Sequence, residues 1–465
     1  MGATPQDFLT IVGGAIIVAL LTATAVWLFS KAATASIAPV GLLLVGFCIE
    51  IFFFNKQPYV QAGLQIYHND AISIIVLLAA IVSFAHRPLP LYETPFLLWL
   101  GFGITIIASF VVGLNEYGRY AGTEVRPYFY MWVAGLYCAI SNFSEDDLSR
   151  IARWCLWTAY VVIGIALYYW IAVEVGFVNR QEFYDETDTA TFRPVAAHAA
   201  LFVAAVGLVQ TMVWLRGSGT RLAGLHAAVF FAFIIIMQHR SVWIAAAVGL
   251  LSVLMLERRL LPRRFGLLLG FALSITLAIA VAATFGVFDD LAQRLLVSTV
   301  SMTDSGGTFA ARADSWDRLL ESWLEAQSYT LLFGFPFGKG YVRMFNGMVI
   351  DFAPHNFYLD LILRVGIVGA ILFVVASGMV IVHGLRVKCA TEFEYVLARG
   401  LGVVLLAAMV FCVVYPSNYT LCAATGVAMA QMIRQRRTHD WQQQTPPAET
   451  FGTLIGRPMN WPVDR

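Results

Sequence analysis

Three groups of residues in this sequence have the types and spacing to bind phosphate or to move a proton. The first is the polar turn Gln238–His239–Arg240–Ser241, which separates two apolar runs. Those runs share about 35 residues, barely enough for two membrane crossings without a loop. An arginine at the membrane boundary is costly unless it is paired, so Arg240 is either a functional cation or a side chain that snorkels to lipid headgroups.

The second group lies in the long segment 289–354. From Thr308 to Ala326 the spacing predicts an amphipathic helix in which Arg312 faces either lipid headgroups or a phosphate substrate. We expect its apolar stripe to rest on the bilayer surface; the stripe consists of Trp316, Leu319 and Trp323. The turn-forming stretch Phe333–Tyr341 follows and carries one cation, Lys339, without the spacing of a P-loop.

The third group opens an apolar run near the C-terminal third of the chain. Proline suits the first turn of a helix, so Pro354 predicts that His355 lies where a helix enters the membrane with free N–H groups. That helix end is positive and favours an anion. A histidine beside Asn356 and Tyr358 either acts on a substrate or has a structural role.

These residues occur in a chain whose composition requires a lipid environment. It has 465 residues, of which 59% are hydrophobic and 13% charged, whereas soluble domains are about a quarter charged. Apolar runs of bilayer length recur, for example Phe8–Ser30, Ser36–Phe54, Leu97–Gly113 and Gly266–Phe288. We therefore predict an all-α polytopic membrane protein with about 12–13 transmembrane helices and one long, partly helical periplasmic loop.

The basic residues of the short loops predict the topology, because such loops are retained in the cytoplasm. The loops concerned contain Arg216, Arg221, Arg258, Arg259, Arg263, Arg264, Arg386, Lys388, Arg434, Arg436 and Arg437. The alternate loops are then periplasmic; they include residues 114–126, which end with Arg126 before a predicted span, the turn at 238–241 and the segment 289–354. The first apolar block is predicted to be a membrane anchor with the N-terminus outside.

The same pattern divides the chain into four parts. Residues 1–288 form an N-terminal transmembrane bundle, 289–354 the periplasmic loop, 355–433 the C-terminal transmembrane helices, and 434–465 a cytoplasmic tail predicted to be disordered. The six cysteines fall in predicted spans or in a cytoplasmic loop, so no disulfide framework is indicated.

The order and spacing of these groups resemble the O-antigen ligase and polymerase superfamily. The resemblance is concentrated in residues 238–370 and is carried by Arg240–Ser241–Val242–Trp243, Arg312–Ala313–Asp314–Ser315–Trp316, the loop Leu332–Gly340, and His355–Asn356–x–Tyr358–Leu359 followed by Gly366 and Gly369. One departure is Arg364, where such proteins often have a glutamate. This difference puts in doubt a helix-borne carboxylate partner for the site.

The resemblance implies a fold like that of the lipid-phosphate-sugar glycosyltransferases, with a cavity below the long periplasmic loop. It also implies that Arg240 and Arg312 hold an undecaprenyl diphosphate and that His355 acts on the acceptor. No metal and no other cofactor is expected, and the acidic stretch Asp185–Glu186–Thr187–Asp188, although it has metal-binding oxygens, is interpreted as a solvated loop.

The expected chemistry is the transfer of a glycan from a lipid diphosphate, which is already a good leaving group. Arginines stabilise the developing negative charge and His355, as a neutral general base, takes the proton of the attacking hydroxyl, with inversion at the anomeric carbon. Further candidates for substrate binding are Arg126, Arg193, Lys339, Asn356 and Tyr358, although Arg126 and Arg193 also suit ordinary interface anchors.

The expected partners are an undecaprenyl-diphosphate-linked glycan donor, a glycan or lipid A core acceptor, and membrane lipids, with no nucleic acid. Ligase and polymerase remain alternatives. A flippase or other polysaccharide transporter would have ionisable groups near mid-membrane and paired repeat halves, and a non-catalytic scaffold would have no reason to keep Arg240, Arg312 and His355 at one depth. The location of these charges on one predicted face favours the transferase, in the bacterial inner membrane with its site facing the periplasm.

Overall fold

The computed structural model describes residues 37–53, 59–61, 65–86, 90–178, 193–218, 222–262, 308–345 and 348–444. In chain order the elements are α1 (Ala38–Phe52), β1 (Tyr59–Gln61), β2 (Gln65–Tyr67), α2 (His68–His86), α3 (Thr94–Tyr117), α4 (Arg119–Ile140), α5 (Glu145–Glu174), α6 (Ala197–Arg216), α7 (Ala223–Met237), α8 (Arg240–Leu256), α9 (Thr308–Leu324), α10 (Ser328–Phe333), β3 (Arg343–Phe345), β4 (Met348–Ile350), α11 (Phe357–Arg386), α12 (Glu392–Phe411) and α13 (Tyr419–Gln444). The only sheets in these ranges are two antiparallel hairpins. The predicted all-α class is confirmed.

Apolar helices are the main elements of the part of the chain that the structure describes. Six of them, α2, α3, α5, α6, α11 and α12, are long and apolar enough to cross a membrane, and α1, α7 and α8 are shorter apolar helices. This confirms a multi-pass membrane protein. The predicted spans Phe8–Ser30 and Gly266–Phe288 lie outside the described residues, so the total of 12–13 spans stays a prediction.

The helices pack in two connected groups. In the first, α4 contacts α2, α3 and α13; in the second, α12 contacts α6 and α8; α11 joins them by packing against α3 and α12. Small residues allow the closest approaches: Gly426 of α13 lies against the backbone of Gly135 in α4, and Gly384 of α11 lies against α12 at Gly402. Close contacts between small residues are what stabilise helix pairs in lipid, where burial of apolar surface drives little association.

The two ends of the bundle are defined by the directions of three helices. Arg216, the last residue of α6, forms ion pairs with Glu257, which follows α8, and with Glu392, which begins α12. Helices of 17 to 20 residues rise about 25–30 Å, so α6 and α8 begin at the other end, where α12 finishes. We call that other end the site end, and the end with Arg216 the opposite end.

The structure corrects the predicted boundary between α3 and α4. The sequence was interpreted as a loop over residues 114–126, with Arg126 at the start of a span. Instead α3 continues to Tyr117 and α4 begins at Arg119, which places Arg126 and Pro127 inside α4. The single residue between the helices is Gly118, whose φ of 58° is accessible to glycine at little cost.

A kink in α11 shapes the site end. Gly366 has a φ of 67° and divides the helix into a short first segment and a long span. A side chain at this position would collide with the carbonyl oxygen of Leu332, so only glycine lets α10 approach α11 this closely. The loop that follows α10 is held against α11 by a hydrogen bond of 2.6 Å from the N–H of Phe335 to the carbonyl of Leu363.

Candidate active site

His355 lies just before α11, between two aromatic rings and two positive charges. Its ring centroid is 6.0 Å from that of Tyr415 and 6.2 Å from that of Phe352. The pKa of His355 is lowered below its ordinary value of 6.5 by burial, and then by the charges of Arg312 and Arg343. The imidazole is therefore neutral at pH 7 and able to accept a proton. We call these five residues the His355 cluster.

Arg312 enters the cluster from α9, one turn after the start of that helix. Its guanidinium carbon is 5.5 Å from the centre of the Tyr415 ring, a distance typical of a cation–π contact. The predicted helix is confirmed, since α9 spans Thr308–Leu324. An arginine held by an aromatic face keeps its positive charge available for an anion.

The predicted position of the apolar stripe of α9 was wrong. Leu319 and Trp323 do not face a bilayer surface; they are buried in a small core with Leu359 and Leu363 of α11. Trp316 packs at the edge of the same core. Leu359 and Leu363 are four residues apart on one face of α11, and they provide a protein surface that removes the stripe from both lipid and water.

Arg343 is a member of the cluster that sequence reasoning missed. Its Nε donates a hydrogen bond of 2.6 Å to Ser315 Oγ of α9, and its Nη1 donates to the carbonyls of Tyr341 (2.8 Å) and Phe352 (2.9 Å). Burial lowers the pKa of Arg343, while the charge of Asp351 opposes that shift. Neutral partners thus fix the guanidinium against α9 and beside His355.

A sequence signal for Arg343 was present. Arg343 begins strand β3, which pairs with β4 so that Arg343 is opposite Ile350 and Phe345 is opposite Met348. The dipeptide Asn346–Gly347 between the two strands is a strong hairpin signal. Recognising that hairpin would have placed Arg343 at its base, next to the residues that precede His355.

Asn356 and Tyr358 are engaged by the protein itself. Asn356 is the N-cap of α11, and its side chain accepts hydrogen bonds from the N–H groups of Tyr358 (3.0 Å) and Leu359 (3.1 Å). The hydroxyl of Tyr358 donates to the carbonyl of Met409 in α12 at 2.7 Å. Because α11 begins at Phe357, the interpretation of Pro354 as a first-turn residue was wrong. Substrate binding by Asn356 and Tyr358 stays a prediction.

The turn-forming stretch Phe333–Tyr341, called the glycine-rich loop below, is held by hydrogen bonds from its backbone N–H groups to α4. Glu124 accepts hydrogen bonds from the N–H groups of Gly338 (2.6 Å) and Gly340 (3.0 Å). Lys339, between them, lies over the Phe335 ring, with Nζ 3.2 Å from its centroid. The pKa of Lys339 is lowered by burial and then by the charge of Arg364. The cation predicted to bind substrate is thus presented by a loop that a carboxylate fixes.

The carboxylate of Glu124 is held in turn by Arg364 of α11, the residue at which this sequence departs from the family pattern. Its side chain is 1% exposed, and its Nη2 is 2.9 Å from Glu124 Oε2 and donates to the carbonyl of Gly340 at 3.0 Å. Its guanidinium also lies over the Tyr341 ring, 3.9 Å from the centroid. Arg364 on α11 is therefore paired with a carboxylate of α4.

The turn between α7 and α8 confirms the predicted very short connection. Only Gln238, with a φ of 55°, and His239 lie between the two helices. His239 Nε2 is 3.0 Å from the carbonyl oxygen of Val195, which ties the turn to the residues before α6. The pKa of His239 is lowered to about 3 by burial and then by the charge of Arg193. Arg193 also lies close enough to Arg240 for their charges to repel.

Arg126 lies elsewhere at the site end and is paired. Its Nε is 3.2 Å from Asp70 Oδ1, and its Nη2 donates to the carbonyl of Gln65 at 2.6 Å. Tyr130 donates a short hydrogen bond to the same carboxylate. These contacts fix β2 and the start of α2 on α4. The prediction that Arg126 binds substrate remains untested.

Helix directions place the His355 cluster and the α7–α8 turn at one end. The N–H of Phe357 donates to the carbonyl of Cys412, directly after α12, at 3.0 Å, so His355 is at the site end. Arg240 begins α8 at that same end. Helix α12 packs against both α8 and α11 and so connects the two regions.

The fold and the site together define a class of protein, namely a multi-pass membrane protein with several arginines and a histidine at one end of its helix bundle. Residues 225–374 match a family model described as O-antigen ligase. The match confirms the resemblance to the O-antigen ligase and polymerase superfamily and supports an O-antigen ligase-like, glycosyltransferase-like enzyme in general. It includes Arg240, Arg312, Lys339, Arg343 and His355 but neither Arg126 nor Arg193. No curated protein and no solved structure matches the chain significantly.

Proposed function

We propose that this protein transfers a glycan from undecaprenyl diphosphate to a hydroxyl of an acceptor glycan or lipid A core. In this reaction the acceptor oxygen forms a bond to the anomeric carbon as the bond to the diphosphate oxygen breaks. The acceptor proton passes to His355, and the lipid diphosphate leaves with the electron pair of the broken bond. Direct displacement inverts the anomeric centre.

The observation that carries the proposal is a neutral imidazole beside two guanidinium groups. Burial, and then the charges of Arg312 and Arg343, lower the pKa of His355 and so favour its neutral form. A base must be neutral before it accepts a proton, whereas the diphosphate needs positive charge nearby. One cluster meets both requirements, because the charges that attract the donor also keep the base neutral.

The arginines have separate parts in this proposal. Arg312 and Arg343 bind the diphosphate next to His355, since a guanidinium makes paired charge-assisted hydrogen bonds to phosphate oxygens. Arg240, which begins α8 at the same end of the bundle, binds the diphosphate as well, and Arg193, whose charge lies near that of Arg240, is a further substrate-binding residue. Arginines supply the charge that stabilises the leaving group, and we propose no metal.

We further propose that the site end faces the periplasm and that the membrane is the bacterial inner membrane. The opposite end has the basic residues Arg216, Arg386, Lys388, Arg434 and Arg436, as cytoplasmic loops do. Ser328, the exposed first residue of α10, is at the site end and tests this. A thiol introduced there should react with a membrane-impermeant reagent in cells whose inner membrane is intact. Reaction only after that membrane is opened would contradict the orientation.

A reconstituted assay tests the transfer itself. Purified protein is given an undecaprenyl-diphosphate-linked glycan and, in separate reactions, lipid A core or a glycan acceptor. A product with either acceptor, lost in His355→Ala, supports the proposal and distinguishes a ligase from a polymerase. Movement of the donor across the bilayer with no product on either acceptor would instead indicate the flippase alternative.

A further inference from the structure

A groove between α11 and α13 lies at the opposite end of the bundle, far from the His355 cluster. It has a volume of about 660 Å³ and is lined by Gly378, Arg386 and Arg436 among other residues. The apolar part of the lining consists of Val375, Met379, Val382, Val387 and Met432. From Val375 to Arg386 the lining follows α11 for twelve residues, a rise of about 16 Å along the helix.

Charge and apolar surface are separated along this groove. Val375 and Gly378 lie toward the middle of the membrane span, while Arg386 is the last residue of α11. Arg436 closes the charged side from α13, and its Nη1 is 3.0 Å from Glu93 Oε2. Arg386 is exposed and forms no ion pair with the residues that the structure describes. Arg436 is thus paired with a carboxylate, whereas Arg386 is an exposed positive charge at the groove.

We propose that this groove binds an anionic phospholipid, with its phosphate at Arg386 and Arg436 and an acyl chain along Gly378 toward Val375. A basic pocket at the end of an apolar interhelical groove is complementary to a molecule with an anionic head and a hydrocarbon tail. Gly378 supports the chain position, because a Cβ added there would meet no atom of the described residues within 4 Å. This inference does not depend on the proposed transferase reaction.

The groove can be filled without disturbing the helix. Gly378→Leu puts a side chain into open space on a helical backbone, and Arg386→Gln removes the available cation. Gly164→Leu is the matched control for the first variant, because Gly164 in α5 is also helical and open. Lys388→Gln is the control for the second, because Lys388 is an exposed cation two residues away that does not line the groove.

The test is native mass spectrometry of the purified full-length protein titrated with phosphatidylglycerol, with phosphatidylcholine as the neutral comparison. We expect Arg386→Gln to reduce retention of phosphatidylglycerol about fivefold, the value of one basic contact to an anionic lipid. Gly378→Leu should also reduce it, because the leucine side chain would occupy the proposed position of the acyl chain. Gly164→Leu and Lys388→Gln should retain it like the wild type. Melting temperatures in detergent without added lipid verify that all four variants fold.

Three results would overturn the inference. The first is equal retention of phosphatidylglycerol and phosphatidylcholine by the wild type. The second is loss of phosphatidylglycerol from the two controls as large as from Gly378→Leu and Arg386→Gln, since binding would then follow surface charge alone. The third is a change of oligomeric state in Gly378→Leu with lipid retention unchanged, which would assign the groove to another protein chain.

Discussion

Two arginines at the opposite end of this bundle and two around His355 differ in what holds them. At the opposite end Arg216 is paired with Glu257 and Glu392, and Arg436 is paired with Glu93. Around His355, Arg312 and Arg343 are held instead by aromatic rings, a serine hydroxyl and backbone carbonyls. An arginine neutralised by a carboxylate contributes to structure, whereas one fixed by neutral groups keeps a charge that a bound anion can use.

Arg364 shows that this difference is not simply a matter of position. It is at the site end, yet it is paired with a carboxylate, Glu124, as Arg216 and Arg436 are paired at the opposite end. We therefore expect its substitution to affect the fold of the glycine-rich loop, while substitutions of Arg312 and Arg343 affect the reaction.

The largest effect is expected for Arg364→Met. Removing one partner of a buried pair leaves the other charge uncompensated and costs about 3–5 kcal/mol. Glu124 is partly exposed, so the lower value is expected. The measurement is thermal unfolding in detergent, together with abundance in the membrane. Adding Glu124→Gln to Arg364→Met should recover part of the lost stability. If Arg364→Met alone were as stable as the wild type, the pair of Arg364 with Glu124 would not stabilise the structure.

The next effect is on turnover. Arg312→Gln removes a charge that lies over the ring of Tyr415 and should reduce transfer by about 10²-fold, as loss of one charge-stabilising donor does. Arg312→Lys should also be impaired, because an ammonium cannot make the paired bonds of a guanidinium. Arg318→Gln is the matched control, since Arg318 is an exposed residue of the same helix paired with Asp314. Equal losses of activity in Arg312→Gln and Arg318→Gln would show that the effect follows from removing any positive charge from α9, not from a specific role of Arg312.

A smaller effect concerns pH. Burial and the charges of Arg312 and Arg343 hold the pKa of His355 below 6.5, so the neutral fraction falls only as the pH drops below that value. In Arg312→Gln one lowering charge is gone and the pKa of His355 rises, so the acid limb of the activity profile should move to higher pH. A pH–rate profile of both proteins measures this. An unchanged acid limb, or a move to lower pH, would show that this limb does not report the protonation of His355.

The smallest effect is expected at the helix cap. Asn356→Ala removes the acceptor for two N–H groups of α11 and should cost about 1 kcal/mol. Asn356→Asp should restore stability, because aspartate caps helices equally well. Thermal unfolding measures both variants. A loss of activity in Asn356→Ala far greater than its loss of stability would favour substrate binding by Asn356.

Much of the fold could be predicted from composition and periodicity. The apolar runs determine the all-α class, because a backbone in lipid must satisfy its hydrogen bonds within the helix. The short turn before Arg240 and the helix over Thr308–Leu324 follow from the spacing of polar and apolar residues. The boundary at Gly118 was missed, since one glycine can end one helix and start the next without a polar loop.

The site was predicted less completely, because its contacts are distant in sequence. The sequence singled out Arg312 and His355 but not Arg343, which reaches His355 through the β3–β4 hairpin. Tyr415, after α12, joins the cluster across helices, and no local pattern indicates that. The pairing of Arg364 with Glu124 spans two distant helices in the same way.

The most direct test of the central claim compares His355→Ala with Arg312→Ala in two measurements, turnover and retention of the lipid-linked donor by purified protein. The account predicts that His355→Ala loses about 10²–10⁴ in turnover, the usual contribution of a general base, and retains the donor nearly as well as the wild type. Arg312→Ala should lose donor retention as well as turnover. If His355→Ala lost the donor as completely as Arg312→Ala, or kept full turnover, His355 would not be the base.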